Sequence, residues 1–158
     1  MTHETGLKAQ IRADLTAAMK ARDTVVTGTL RMVLAAITTA EVAGDTAKEL
    51  TDDEIIAVLG KESKKRHESM EIYRGAGRDE LADKESAEAA IIEAYLPAQL
   101  TDEELSAIVA AEIASMTLSS GEAVGMKQMG LVIKAVKTKA GARADGSRVA
   151  AAVKAALA

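Results

Sequence analysis

Six basic side chains carry the clearest chemical signal in the sequence: Lys127, Lys134, Lys137, Lys139, Arg143 and Arg148. From Ala123 to Ala158 there are seven Lys and Arg and one acid, Asp145, a local charge of +6. The whole chain carries −4, so the preceding 122 residues carry −10. Cations gathered at one end of an acidic chain suit a polyanion, because each phosphate they neutralise releases condensed counterions. A helix turns about 100° per residue, which puts Lys127 and Lys134 on one face and Met126, Met129, Ile133 and Val136 on another. Lys137 and Lys139 flank the last turn of that helix, where cations also suit its dipole. Arg143 follows in a turn, and Arg148 and Lys154 lie on the next helix. The six are the candidate nucleic-acid contacts. The alternative reading is that these charges only keep the helices hydrated.

Other chemistry is poorly supplied. The chain has two His, His3 and His67, and no Cys. Glu71 lies one turn beyond His67, but two groups fall short of the three or four ligands of a zinc site, so no metal is expected. Asp52, Asp53 and Glu54 are acids of a helix's first turn, where its dipole favours them. "GAGRDE" (75–80) begins like a phosphate loop, but it lacks the third Gly and follows a helix, so no nucleotide cofactor is expected. Gly75 and Gly77 more simply end a helix and let the chain turn. "LSSG" (118–121) offers Ser without a base. "KKRH" (64–67) sits among Glu62, Glu68 and Glu71, with Glu62 one turn from Arg66 and Lys64 one turn from Glu68. No catalytic residue is expected.

The elements that position these residues read as helices throughout. Apolar residues make up 48% of the chain, with no Phe or Trp and only Tyr73 and Tyr95 as aromatics. Ala and Leu favour helices, and strand-rich domains carry more aromatic and β-branched residues, so the class is all-α. The first helix is expected from about Glu4 to Arg22, with Leu7, Ile11, Leu15, Ala18 and Met19 facing inward. Asp23 caps a second, running to about Ala43, with Val26, Leu30, Leu34 and Ile37 as its stripe. Thr51 and Glu54 form a capping box for a third, with Leu50 and Ile55 at staple spacing. This helix runs to about Arg74, and its middle, "KESKKRHES" (61–69), is polar all round, as in a stretch that faces solvent or bridges packed parts. A fourth spans about Asp79 to Tyr95 and stops before Pro97. Thr101 and Glu104 repeat the box for a fifth, ending near Met116 before a loop at 117–125. A sixth spans about Met126 to Lys139, and Asp145 caps a seventh. The proline divides an N-terminal four-helix domain, 1–96, from a C-terminal three-helix bundle, 97–158. The N-terminus lacks the apolar run of a signal peptide, and no apolar run reaches the ~18 residues of a membrane span. A cytoplasmic protein is expected.

Four stretches together resemble the YqeY family, small bacterial proteins related to the tail of the B subunit of glutamine-dependent tRNA amidotransferase. They are "LRMVLAAI" (30–37), "LTDDEIIAVLGKESKKRHESMEIYRGAGRDEL" (50–81), "KESAEAAIIEAYLPAQLTDEEL" (84–105) with its Tyr-Leu-Pro-x-Gln-Leu, and "KQMGLVIKAVKTKAGARADGSRV" (127–149). The motif positions carried over are Met129, Gly130, Lys134, Lys137, Gly141, Arg143, Ala144, Asp145 and Val149. The B-subunit tail commonly has Asn-Pro where this chain has Asp145-Gly146. The resemblance implies a four-helix domain followed by a three-helix domain, and a non-catalytic module that binds tRNA. An alternative is an adaptor for an amidotransferase or synthetase assembly, presented on the long helix around 61–74. Kinship is to carbon–nitrogen ligases with glutamine as amido donor, but the chain has no room for their catalytic body. If activity were found, Glu93, Asp102 and His67 would be the residues to revisit.

Overall fold

The computed structural model describes residues 5–158. His3 and Glu4, the expected helix start, lie outside them. The described residues are helical without a strand, as the composition requires. They form two compact units, Met1–Leu96 and Pro97–Ala158.

The N-terminal unit contains α1 (Leu7–Lys20), α2 (Thr24–Glu41), α3 (Asp52–Gly75) and α4 (Asp79–Glu93). Its core is aliphatic: Ile11, Leu30, Val33, Ile37, Ile55, Leu59 and Ile92 are buried together. Each such side chain contributes about 1.5–3 kcal/mol on burial. Met19, expected inward, is half-exposed, and Arg31 Nη2 lies 3.9 Å from its sulfur. The inner stripe of α1 already ends on Ala18, about 100° away around the helix. On α2 the buried stripe is Thr29, Leu30, Val33 and Ile37, with Val26 and Leu34 at its margin. Thr29 can sit inside because its hydroxyl donates to Val25 O at 2.8 Å.

In this unit α2 and α3 are capped by local side chains, and α1 and α4 are not. Asp23 accepts from Val26 N at 3.1 Å, and Thr51 and Glu54 exchange hydrogen bonds at 2.9 and 3.2 Å. Lys48, 2.7 Å from Glu54, holds that carboxyl below its ordinary range, with help from the Thr51 backbone. Helix α1 has no cap of its own. Leu7 N donates instead to Asp52 Oδ1 at 3.0 Å, from the first turn of α3. Gly6 allows this approach: a Cβ there would lie 2.9 Å from the same oxygen, at a φ of +113°.

The polar stretch of α3 bridges packed parts: it packs on α4. Ser63 Oγ donates to Glu93 Oε1 at 2.8 Å, and His67 Nε2 lies 2.5 Å from the same oxygen. Arg66 is buried, paired with Glu62 one turn back and 3.5 Å from Glu88 on α4. The companion Lys64–Glu68 pair does not form. Both residues are exposed, and Lys65 reaches Glu62 at 3.1 Å. Burial pushes the Glu62 carboxyl up, but the hydrogen bonds from Lys65 and Arg66 outweigh it and leave it lowered.

The C-terminal unit contains α5 (Asp102–Ser120), a 3-10 turn (Met126–Gln128), α6 (Met129–Ala140), a second 3-10 turn (Gly141–Arg143) and α7 (Gly146–Leu157). The Thr101–Glu104 box caps α5, with bonds of 2.9 and 3.1 Å. This helix runs a turn beyond Met116, because residues 117–120 hold no breaker and Thr117 bonds back to Ile113 O. It stops at Gly121, so the expected loop is shorter and Ser120 ends a helix. Asp145 caps α7, accepting from Arg148 N at 2.9 Å. The three helices close on Leu105, Val109, Val132, Val136, Ala140, Val149 and Val153. The buried stripe of α6 is thus Val132, Val136 and Ala140, with Met129 and Ile133 beside it. Met126 is half-exposed, because the 3-10 turn before α6 winds more tightly and takes it off that register.

Arg66→Ala should lower stability by about 3–5 kcal/mol in urea titration, since it strands Glu88 in a buried site. Arg66→Met combined with Glu88→Leu should recover most of that loss.

Candidate nucleic-acid interface

The six candidate cations divide by what they touch. Lys127, Lys134 and Lys137 are exposed and make no ion pair among the described residues. Lys134 and Lys137 lie on α6, and Lys127 lies in the 3-10 turn before it. Gly130, Ile133, Lys134, Lys137 and Thr138 line a shallow open depression on the same helix. A Cβ at Gly130 would meet nothing within 4 Å, so packing within the fold does not require glycine there.

Lys137 reaches toward α7. A Cβ at Gly146 would lie 3.3 Å from its Cε and Nζ, so the side chain crosses the first turn of α7. This places an ammonium over the N-terminal turn of α7.

The other three are engaged or turned elsewhere. Lys139 lies 3.7 Å from Glu112 on α5. Arg143 is exposed in the turn after α6, with Nη2 3.4 Å from Lys139 O. Arg148 is partly buried, and its Nη2 donates to Leu100 O at 2.7 Å and to Asp102 Oδ1 at 2.9 Å. Its guanidinium therefore ties the start of α5 to α7. The α6 face keeps Lys134 and Lys137 exposed and without an ion pair among the described residues.

Gln99 and Leu100 hold this face in place, and reasoning from charge passed over both. Leu100 N donates to Arg143 O at 2.7 Å, and Gln99 Nε2 donates to Ala142 O at 3.1 Å. Gly141 starts the receiving turn at a φ of +56°, which glycine adopts without strain. The available signal was the pair of motifs: the Gln-Leu of "YLPAQL" meets the Gly-Ala-Arg of the basic motif. The first half of "YLPAQL" belongs to the other unit. Leu96 packs on that unit's core, and Tyr95 Oη donates to Asp14 Oδ2 at 2.5 Å. Burial raises the Tyr95 pKa first, and the bond to Asp14 and its charge raise it further.

Glu93, His67 and Ser63 come together on the α3–α4 seam. Glu93 Oε1 accepts from Ser63 Oγ and also meets His67 Nε2, so the carboxylate and not the imidazole touches the hydroxyl. Among the described residues no helix is long and apolar enough to cross a membrane.

A model of Yqey-like proteins matches residues 8–157. An uncharacterized protein of Schizosaccharomyces pombe is 37% identical over 92 residues, which are 58% of this chain and 72% of that protein. Proteins of Meyerozyma guilliermondii and Clavispora lusitaniae are 38% and 34% identical over 86 and 90 residues. Both bear the name altered inheritance of mitochondria protein 41, mitochondrial. The matches cover 54% and 57% of this chain but only 44% and 51% of theirs, about half their length.

Two substitutions separate the arms of Arg148. Asp102→Asn should cost well under 1 kcal/mol, because the Asp102 side chain is 95% exposed. Arg148→Ala should cost about 1.5–3 kcal/mol by thermal unfolding, because it removes a charged donor from Leu100 O. Tyr95 should give an alkaline signature. Near pH 10 the unfolded phenol loses its proton before the folded one, so stability falls as pH rises from there. Tyr95→Phe should remove that part of the slope in urea titrations run above pH 9.

Proposed function

The chain belongs to the family of Yqey-like proteins, and from that starting point we propose that it is a non-catalytic module that holds tRNA, or an RNA of similar shape, by its phosphates. The observation that carries this reading is the exposed α6 face, where Lys134 and Lys137, without an ion pair among the described residues, line the depression at Gly130, with Lys127 in the turn before the helix. Lysine acts there as a point charge and not as a planar fork, which suits a backbone read for shape. Two tyrosines in the whole chain supply little for base stacking, and Tyr95 spends its hydroxyl on Asp14. Arg143 completes the contact set from the adjoining turn. Lys139 joins it by giving up a pair 3.7 Å long to Glu112. Arg148 serves the module from within, by positioning the turn. The proposed compartment of such a module is the cytoplasm.

Kinship to the tail of a tRNA amidotransferase subunit supports an RNA-holding role without chemistry of its own. The rival reading, an adaptor for an amidotransferase or synthetase assembly, relied on the polar face of α3. Ser63, Arg66 and His67 are committed to Glu62, Glu88 and Glu93, which leaves that face fewer free groups to offer a partner.

Filter binding with purified tRNA tests the proposal. Binding should weaken with salt, with a log–log slope of about 0.7–0.9 per phosphate neutralised. Lys134→Gln and Lys137→Gln should each lower the slope by about one phosphate's worth while leaving the melting temperature unchanged. Salt-independent binding, or none at ~50 mM salt, would overturn the reading.

A further inference from the structure

Helix α2 has a second apolar side. Between Thr24 and Ala40 its only charged residue is Arg31. A helix this apolar is normally covered all round. The inner side packs in the core, yet Val25, Met32 and Val42 on the outer side are 49%, 51% and 60% exposed. With Gly28, Ala35 and Thr39, also exposed, they form a stripe at spacings of three and four residues, the seam of a helix pair.

We propose that this stripe packs against the same stripe of a second copy, with the two α2 helices antiparallel about a two-fold axis between Val33 and Leu34. The spacing reads the same in both directions, as a self-complementary interface requires. In that register Met32 meets Ala35 of the second copy, Gly28 meets Thr39, and Val25 meets Val42. The long Met32 side chain thus falls on a small residue. Arg31 falls opposite Ala36 and not opposite its own symmetry mate.

Charge selects the occupant. Lys20 and Arg22 are exposed just before α2, and Asp45 and Glu49 just after it. None of the four makes an ion pair among the described residues. An antiparallel pair sets the basic turn of each copy beside the acidic loop of the other. The helix dipoles, opposed in direction, add to that attraction. A parallel pair would set like charges together.

Sedimentation of the full chain over a wide concentration range tests the pairing. The mass should rise from 16.5 kDa toward twice that value. Ala35→Glu should hold the chain at the monomer mass with its helical circular dichroism unchanged, because residue 35 is exposed. The chain has no cysteine, so single thiols can report the register. A mixture of Val25→Cys and Val42→Cys chains should join through a short bis-maleimide cross-linker, and the Val25→Cys chain alone should not. In the antiparallel pair its two thiols stand about 25 Å apart, from a rise of 1.5 Å per residue. A persistent monomer would overturn the proposal and leave the stripe to a helix of another protein. A dimer indifferent to Ala35→Glu, or a Val25→Cys chain that joins to itself, would overturn it as well.

Discussion

Leu100 has both of its backbone polar groups bonded to residues more than 40 positions away in its own unit. Its N–H donates to Arg143 O, and its carbonyl accepts from Arg148 Nη2, each at 2.7 Å. Its side chain is buried against Leu105 and the rest of the C-terminal core. Three helices joined only by short turns need a fixed origin, and Leu100 supplies it. Removing either bond would leave a backbone group unsatisfied at a buried position, which costs more than the bond itself contributes. The turn at Gly141–Arg143 and the start of α7 are set by this contact, and Lys137, lying over that start, inherits its position from it.

The same economy explains how a chain almost without aromatic residues specifies its packing. Aliphatic cores bury enough area, but Val, Ile and Ala carry little directional information. Direction comes from polar contacts at the margins: reciprocal capping boxes on α3 and α5, Asp52 at the start of α1, and the Arg66–Glu88 contact between α3 and α4. Each has a geometry that a slipped register would lose. The buried Arg66 is costly to desolvate, and its place in the seam is consistent with fixing the α3–α4 register more than adding stability.

Electrostatics divides the C-terminal unit by helix. The acids other than Asp145 lie on α5 and the loop after it, and the bases lie from Lys127 onward. Two cations on this side are matched to α5, Lys139 to Glu112 and Arg148 to Asp102. Lys127, Lys134, Lys137, Arg143 and Lys154 have no such partner among the described residues, and two of them, Lys134 and Lys137, share α6. The −10 carried by the first 122 residues would repel a polyanion at long range, and salt would screen that repulsion.

The sequence by itself determined the helical class, the capping residues Asp23, Thr51, Thr101 and Asp145, the Glu62–Arg66 pair and the location of the basic cluster. All of these depend on residues within about five positions of one another or on composition, so no knowledge of packing is needed to read them. Helix ends were less legible where no breaker stood. The end of α5 passed Met116, and the stripe of α6 turned because a 3-10 turn preceded it. The tertiary structure alone decided which of six similar cations is free. Lys134 and Lys139 look alike in sequence, and they differ because only Lys139 comes within reach of Glu112. Arg148 looks like a phosphate ligand until Leu100, 48 residues earlier, is brought beneath it. Pairings over such distances are set by which helices close on a common core, and a periodicity of 3.6 residues says which face is buried but not what will lie against it.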